Sequence, residues 1–272
     1  MAASRGDAGA EAFGGWAVVR ASSCAGAARR GAGFLFPGEG QSVGSPQRGL
    51  LVGGVRVPEL PELYERRYHD GQRMWGSTHA IGNLVEAIAR FRRCYGYQGA
   101  VVIADVSRRG GGEFLPHRSH QSGRDVDIWL LVRSGDYEGA PGRRVRRPYA
   151  DEVDWEATWS LVEALLATGA IEHIFLEYEL QARLHVIARA RGSSPERLAG
   201  ILQYPRSSSA SGIVAHADGH RRHMHVRFTC GADEERCDSA RGALEVMPRI
   251  VGRDARGRGM AAERVGIRSG AK

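Results

Sequence analysis

The strongest constraint on the fold is a pair of short segments in which apolar residues alternate with chemically active ones. From Asp125 to Val132, the side chains of Val126, Ile128, Leu130 and Val132 fall on one side, while Asp125, Asp127 and Trp129 fall on the other. From His223 to Phe228, Met224, Val226 and Phe228 oppose His223, His225 and Arg227 in the same way. A period of two is the signature of a strand with one face on a core, so the polar side of each segment is expected to face a cleft.

The remaining pattern is mixed. Ser77 or Thr78 can cap a helix through Arg93, because Ile81, Leu84, Val85, Ile88 and Phe91 form one apolar stripe. Ala100 to Val106 reads as a buried strand, and the Gly-rich SRRGGGEF after it as a mobile loop at the cleft edge rather than a phosphate cradle. A helix is expected from Asp151 or Asp154 to Ala167, closed by Gly169. Ile171 to Leu176 then reads as a strand, and Glu179–Arg191 and Pro195–Leu202 as helices, the second capped by Ser194. The segment LLVGGVRV, from Leu50, suggests a strand or hairpin arm, and Ser134–Pro148 a loop. The fold expected is α+β: a single domain with a small central antiparallel sheet flanked by helices. Within the 272 residues, 1–38 read as a leader or disordered lead-in, 39–240 as the catalytic domain and 241–272 as a basic tail, with a short helix near Leu244–Ile250.

Charge narrows the partners only a little. The chain carries a net charge of +7, almost all of it from arginine, with Lys272 the only lysine. Such a surface suits nucleic acid, anionic lipid or an acidic polymer such as a bacterial wall. No nucleic-acid-binding motif and no apolar run long enough to span a membrane is present. Phe13–Val19 is too short for a secretory apolar region, and Asp7 and Glu11 stand where a signal peptide would be positive.

The histidines carry the chemistry. Five of the ten fall in two clusters, His117 and His120 before the first strand, and His220, His223 and His225 around the second. A hydrolytic Zn²⁺ site takes three nitrogen or oxygen ligands and leaves a position for water, and His120, Asp127 and His225 supply such a set. His223, on the same strand face as His225, is the candidate general base and later acid. His117 and His220 flank the site and could stabilise an oxyanion, hold the water or orient ligands, with Asp125 an acceptor behind a ligand histidine. Arg118, Arg124, Arg221, Arg222 and Arg227 crowd these motifs; solvated charges are expected, one or two of which could grip a substrate carboxylate. His69, His79, His173, His185 and His216 read as isolated surface or half-buried residues, and Cys94 as a core thiol at a helix end. Cys230 and Cys237 could be free thiols or a bridge that ties off the second strand, worth roughly 2–3 kcal/mol by loop entropy.

At HRSHQSGRDVDIWL and GHRRHMHVRFTC, and also at QSVGS and IFLEYELQARL, the chain resembles the penicillin-insensitive murein endopeptidases of the LAS group of zinc peptidases. The resemblance covers roughly Gly38 to Asp238. It implies zinc held by His120, Asp127 and His225, a catalytic His223, and His117 and His220 lining the site. It also implies a Cys230–Cys237 disulfide and cleavage, in the periplasm, of the D-alanyl to meso-diaminopimelyl peptide cross-links of peptidoglycan. The alternatives are a D,D- or L,D-carboxypeptidase of the same group and a catalytically silent, zinc-bound wall-binding module. Cys24 and Cys94 have no obvious partners in this pattern.

Overall fold

A computed structural model describes residues 39–69, 71–132, 149–207 and 210–239. The lead-in over 1–38, the loop over 134–148 and the basic tail with its short helix lie outside the described residues.

Six strands form the main sheet, and the two alternating segments lie side by side within it. In chain order these strands are β4 (Glu65–Arg66), β6 (Val102–Ile103), β7 (Asp125–Trp129), β8 (Ile171–Phe175), β9 (Val214–Ala215) and β10 (His223–Phe228). Their spatial order is β4-β6-β7-β10-β8-β9. The expected antiparallel centre is present, since β10 pairs antiparallel with both β7 and β8 and β6 pairs antiparallel with β7. Both edges depart from it: β4 runs parallel to β6 and β9 parallel to β8. The β7–β10 register sets His223 opposite Trp129, His225 opposite Asp127 and Arg227 opposite Asp125. Because partnered residues project from the same face, this ladder gathers the polar residues of both strands into one patch.

The other face of the sheet is the core. Val126, Ile128, Met224, Val226 and Ile174 are fully buried there with the apolar sides of the helices. Helix α1 (Thr78–Tyr95) begins where Ser77 accepts a hydrogen bond from the Ala80 amide, and it ends at Gly96 in the left-handed conformation. Its stripe of Ile81, Leu84, Val85, Ile88 and Phe91 is fully buried, each side chain contributing about 1.5–3 kcal/mol relative to exposure. Helix α2 (Trp155–Leu166), capped by Asp154, packs between α1 and α3 (Tyr178–Ala190), and α4 (Pro195–Ile201) starts at Ser194 as its sequence predicts.

The strand expected over Ala100–Val106 is laddered only at β6, because after Ile103 its backbone is shared between neighbours. The Ala104 and Asp127 amides exchange bonds with the Asp127 and Asp105 carbonyls, while the Val106 amide turns to the Arg73 carbonyl. Two small hairpin-like pairs complete the fold: β1 (Gln41–Ser45) with β2 (Arg48–Val52), and β3 (Val55–Arg56) with β5 (Trp75–Gly76). The Gly-rich loop is clamped rather than free. The Leu51 amide donates to the Gly110 carbonyl, and Gly112 donates to the carbonyls of Gly49 and Gln121. Gly111 permits this closeness: its φ is 69°, and a Cβ there would sit 2.2 Å from the Gln121 oxygen.

Cys230 and Cys237 form a disulfide, and the loop they close docks on β1. Buried Glu234 accepts from the amides of Ser42 and Gly231, joining that loop to the first hairpin. Cys94 is also disulfide-bonded, which corrects the expectation of a core thiol. Among the described residues no helix is long and apolar enough to cross a membrane.

Candidate metal centre

Two histidines, one from a strand and one from a loop, bring ring nitrogens up to the same carboxylate oxygen of Asp127. His120 Nε2 and His225 Nδ1 each lie 3.3 Å from Asp127 Oδ1. That distance is long for a hydrogen bond, and it fits a shared ion: with bonds of about 2.0–2.2 Å, a tetrahedral zinc ion holds its donors about 3.3–3.4 Å apart. All three residues are buried, and neither Asp127 oxygen nor His120 Nε2 makes a hydrogen bond among the described residues. Buried polar atoms left without partners are costly, so a cation is the group this set fits. His117 joins the same gathering, with Nδ1 3.9 Å from Asp127 Oδ2, and the donors of His117, His120 and Asp127 all lie within 4.8 Å of one another. His225 Nδ1 and His117 Nδ1 thus both face the pair formed by His120 and Asp127, at 3.3 Å and 3.9 Å from the Asp127 oxygens.

Each histidine is oriented through its other nitrogen. His120 Nδ1 is 2.7 Å from the Val106 carbonyl, which leaves Nε2 as the donor toward Asp127. His225 Nε2 lies 3.2 Å from Asp125 Oδ2 as an ion-pair contact without hydrogen-bond alignment, and its Nδ1 faces Asp127. His117 Nε2 is 3.1 Å from Asp105 Oδ2, which again leaves Nδ1. His120 also sits at φ 67°, in the left-handed region that non-glycine residues seldom enter. Its backbone is fixed there by its own amide donating to Asp125 Oδ2 and by the Ser107 hydroxyl donating to its carbonyl.

Asp125 is the hinge between the two motifs. Besides His120 and His225 it meets Arg227, whose Nε and Nη2 reach its two oxygens at 2.8 and 3.1 Å. Burial disfavours ionisation of Asp125, but His225 and Arg227 outweigh it and hold the carboxyl well below its usual range. Asp127 is held well below its usual range too, burial being outweighed chiefly by His120. Burial likewise works against a charged His225, yet Asp125 and then Asp127 raise it to about 9.

His223 and His220 stand beside this gathering, the first buried and the second half-buried. His223 Nε2 is 3.7 Å from Asp127 Oδ2, and the His220 ring lies 4.9 Å from that of His223. Burial pushes His220 below its ordinary pKa, with the neighbouring His225 adding to the effect. Its Nδ1 faces the Asp218 carbonyl at 2.9 Å, so Nε2 is left to accept.

Two of the arginines expected in solvent are not there. Arg227 is buried on Asp125, and Arg124 is fully buried between Glu172 and the Phe228 carbonyl, at 2.7 Å from each, and also reaches the Asp238 carbonyl. Arg118 is exposed, Arg221 pairs with Glu177 and Glu179 at the surface, and Arg222 lies 3.8 Å over the Tyr149 ring. Asp105, Arg73, Phe114 and Ser107 were not singled out by the sequence. For Asp105 there was a signal, a lone carboxylate inside the apolar run AVVIADV.

A family model described as penicillin-insensitive murein endopeptidase matches residues 42–158. Proteins named penicillin-insensitive murein endopeptidase from Escherichia coli strains SMS-3-5 / SECEC and UTI89 / UPEC are 30% identical over 215 residues, covering 74% of this chain and 71% of each relative. With that share of both chains aligned, this chain belongs to the penicillin-insensitive murein endopeptidase family of peptidases.

Proposed function

We propose that this protein is a zinc-dependent endopeptidase that hydrolyses the D-alanyl to meso-diaminopimelyl cross-links of peptidoglycan in the periplasm. The observation that carries this reading is the convergence of His120 Nε2 and His225 Nδ1 on Asp127 Oδ1 at 3.3 Å, in a chain whose relatives bear the murein endopeptidase name. These three residues would hold the zinc ion, with His117 Nδ1 facing the same point. When bound, the ion supplies Lewis acidity toward a scissile carbonyl and acidifies a water to near neutral pH.

The chain's own groups do the rest. His223, buried like its neighbours, presents Nε2 toward Asp127 Oδ2 at 3.7 Å. There it accepts the proton of the attacking water and returns it to the leaving amine. His220, kept neutral by burial, accepts a hydrogen bond at Nε2 and steadies a water or the His223 ring. Asp125 keeps His225 turned so that Nδ1 faces the donors. Because the attack uses water and no serine is acylated, a β-lactam has no nucleophile to trap.

The test is chromatography of purified, cross-linked muropeptide dimers after incubation with zinc-loaded protein in the presence of a β-lactam. Conversion to monomers, lost in His223→Ala, is the expected result. Intact dimers with trimmed monomeric stems would make the protein a carboxypeptidase. Intact dimers and stems, with zinc bound, would make it a wall-binding module.

A further inference from the structure

His117 is held by a closed ring of side chains that no strand or helix supplies. It sits on a loop whose neighbours Leu115, Pro116 and Arg118 are exposed, so its backbone position alone does not fix the ring. On its edge, Nε2 meets Asp105 Oδ2 at 3.1 Å. On its face, Phe114 stacks at 5.4 Å between centroids with an interplanar angle of 22°. Arg73 joins the two: its Nε bonds Asp105 Oδ1, and its guanidinium lies 4.1 Å over the Phe114 ring. The circuit runs from Arg73 to Asp105 to His117 to Phe114 and back to Arg73. Backbone bonds keep its ends together, since the Val106 amide donates to the Arg73 carbonyl and the Asp127 amide to the Asp105 carbonyl.

We propose that Arg73 and Asp105 are positioning residues for His117, fixing its ring so that Nδ1 faces Asp127 and the metal donors. Neither needs to touch the ion or the substrate. The construction parallels the one on β10, where Arg227 grips Asp125 and Asp125 faces His225 Nε2. There the ladder already aims the ring; on the loop the His117 amide is held only by the Phe114 carbonyl, and the arginine–aspartate pair and the aromatic face aim the ring. A site group displaced by about 1 Å can cost about a hundredfold in rate, which makes this support a functional requirement rather than a local ion pair.

The inference rests on the metal-site reading above, and its test separates the two. Arg73→Met, Arg73→Lys and Asp105→Asn would be prepared in the full chain beside the parent. Three readouts apply: kcat and KM on cross-linked muropeptide dimers, Zn²⁺ affinity by chelator competition, and the visible absorption of the Co²⁺-loaded protein. Arg73→Met and Asp105→Asn should lower kcat or zinc affinity by about 10–100-fold and displace the Co²⁺ bands. KM should stay within about threefold, because the substrate contacts are untouched. Arg73→Lys should recover part of the loss, since it restores the charge without the fork. Parental kcat, affinity and Co²⁺ spectrum in Asp105→Asn would overturn the proposal. So would losses that follow thermal stability alone with the Co²⁺ bands unmoved. A parent that binds metal but cleaves no dimer would defeat the endopeptidase reading, while the affinity and spectra of the variants would still decide the role of the pair.

Discussion

His225 and His120 bring their rings to within 4.6 Å of each other but are held by different kinds of structure. His225 belongs to β10, which is hydrogen-bonded to β7 on one side and β8 on the other, so its direction follows from the ladder. His120 lies in a loop at φ 67°, a conformation that costs a non-glycine residue of order 1–3 kcal/mol. That cost is offset by individual bonds to Asp125, Ser107 and the Val106 carbonyl. A site histidine on a strand is therefore held by many equivalent bonds, and one on a loop by a few specific ones.

The sharpest test of this contrast is at the residue both halves share. Asp127→Ala should lose the bound metal and all activity, read by metal analysis after dialysis. His223→Ala, two residues from a strand-borne ligand, should keep its metal and lose about 10²–10⁴-fold in kcat. Loss of metal in His223→Ala would show that the strand does not insulate its ligand. Next in size, Arg227→Leu leaves the Asp125 carboxylate buried without its cation and should cost about 3–5 kcal/mol in urea unfolding. Because Asp125 serves both histidines, zinc affinity should fall as well. Replacing Cys230 and Cys237 together by serine should cost roughly 2–3 kcal/mol in the same measurement. Metal content should not change, since the bridge lies past the end of the strand. The smallest effect on stability belongs to Ser107→Ala, at about 1 kcal/mol for one hydrogen bond. On the loop that bond should nonetheless weaken zinc binding about tenfold. Unchanged affinity would put loop and strand on an equal footing.

The same division governs what could be read from the chain. The α+β class, the helix caps at Ser77 and Ser194, and the presence of strands β7 and β10 follow from local periodicity and capping chemistry, and the structure reproduces them. The polar face expected to open on a cleft is instead buried, since every residue of both strands is buried. The histidines and aspartates were picked out as a candidate set, and the structure brings them together. Their individual roles await the tests above. The charged anchors were not legible: Arg73 reaches Asp105 from a distant part of the chain, and Arg124 and Arg227 look like surface charges until their buried carboxylate partners are in place. The parallel edges of the sheet were hidden for the same reason, since β4 and β9 are two-residue strands whose pairing depends on distant neighbours.

The last described strand in sequence, β10, is an inner strand of the sheet, wedged between β7 and β8. During synthesis this imposes an order of events. A nascent chain that has emerged only as far as β9 carries His117, His120 and Asp127 but has no neighbour to lay between the two waiting strands. The proposed centre is therefore completed only when β10 is laid between β7 and β8, and a chain halted or clipped before His223 is expected to lack both the donor of His225 and activity on muropeptide dimers.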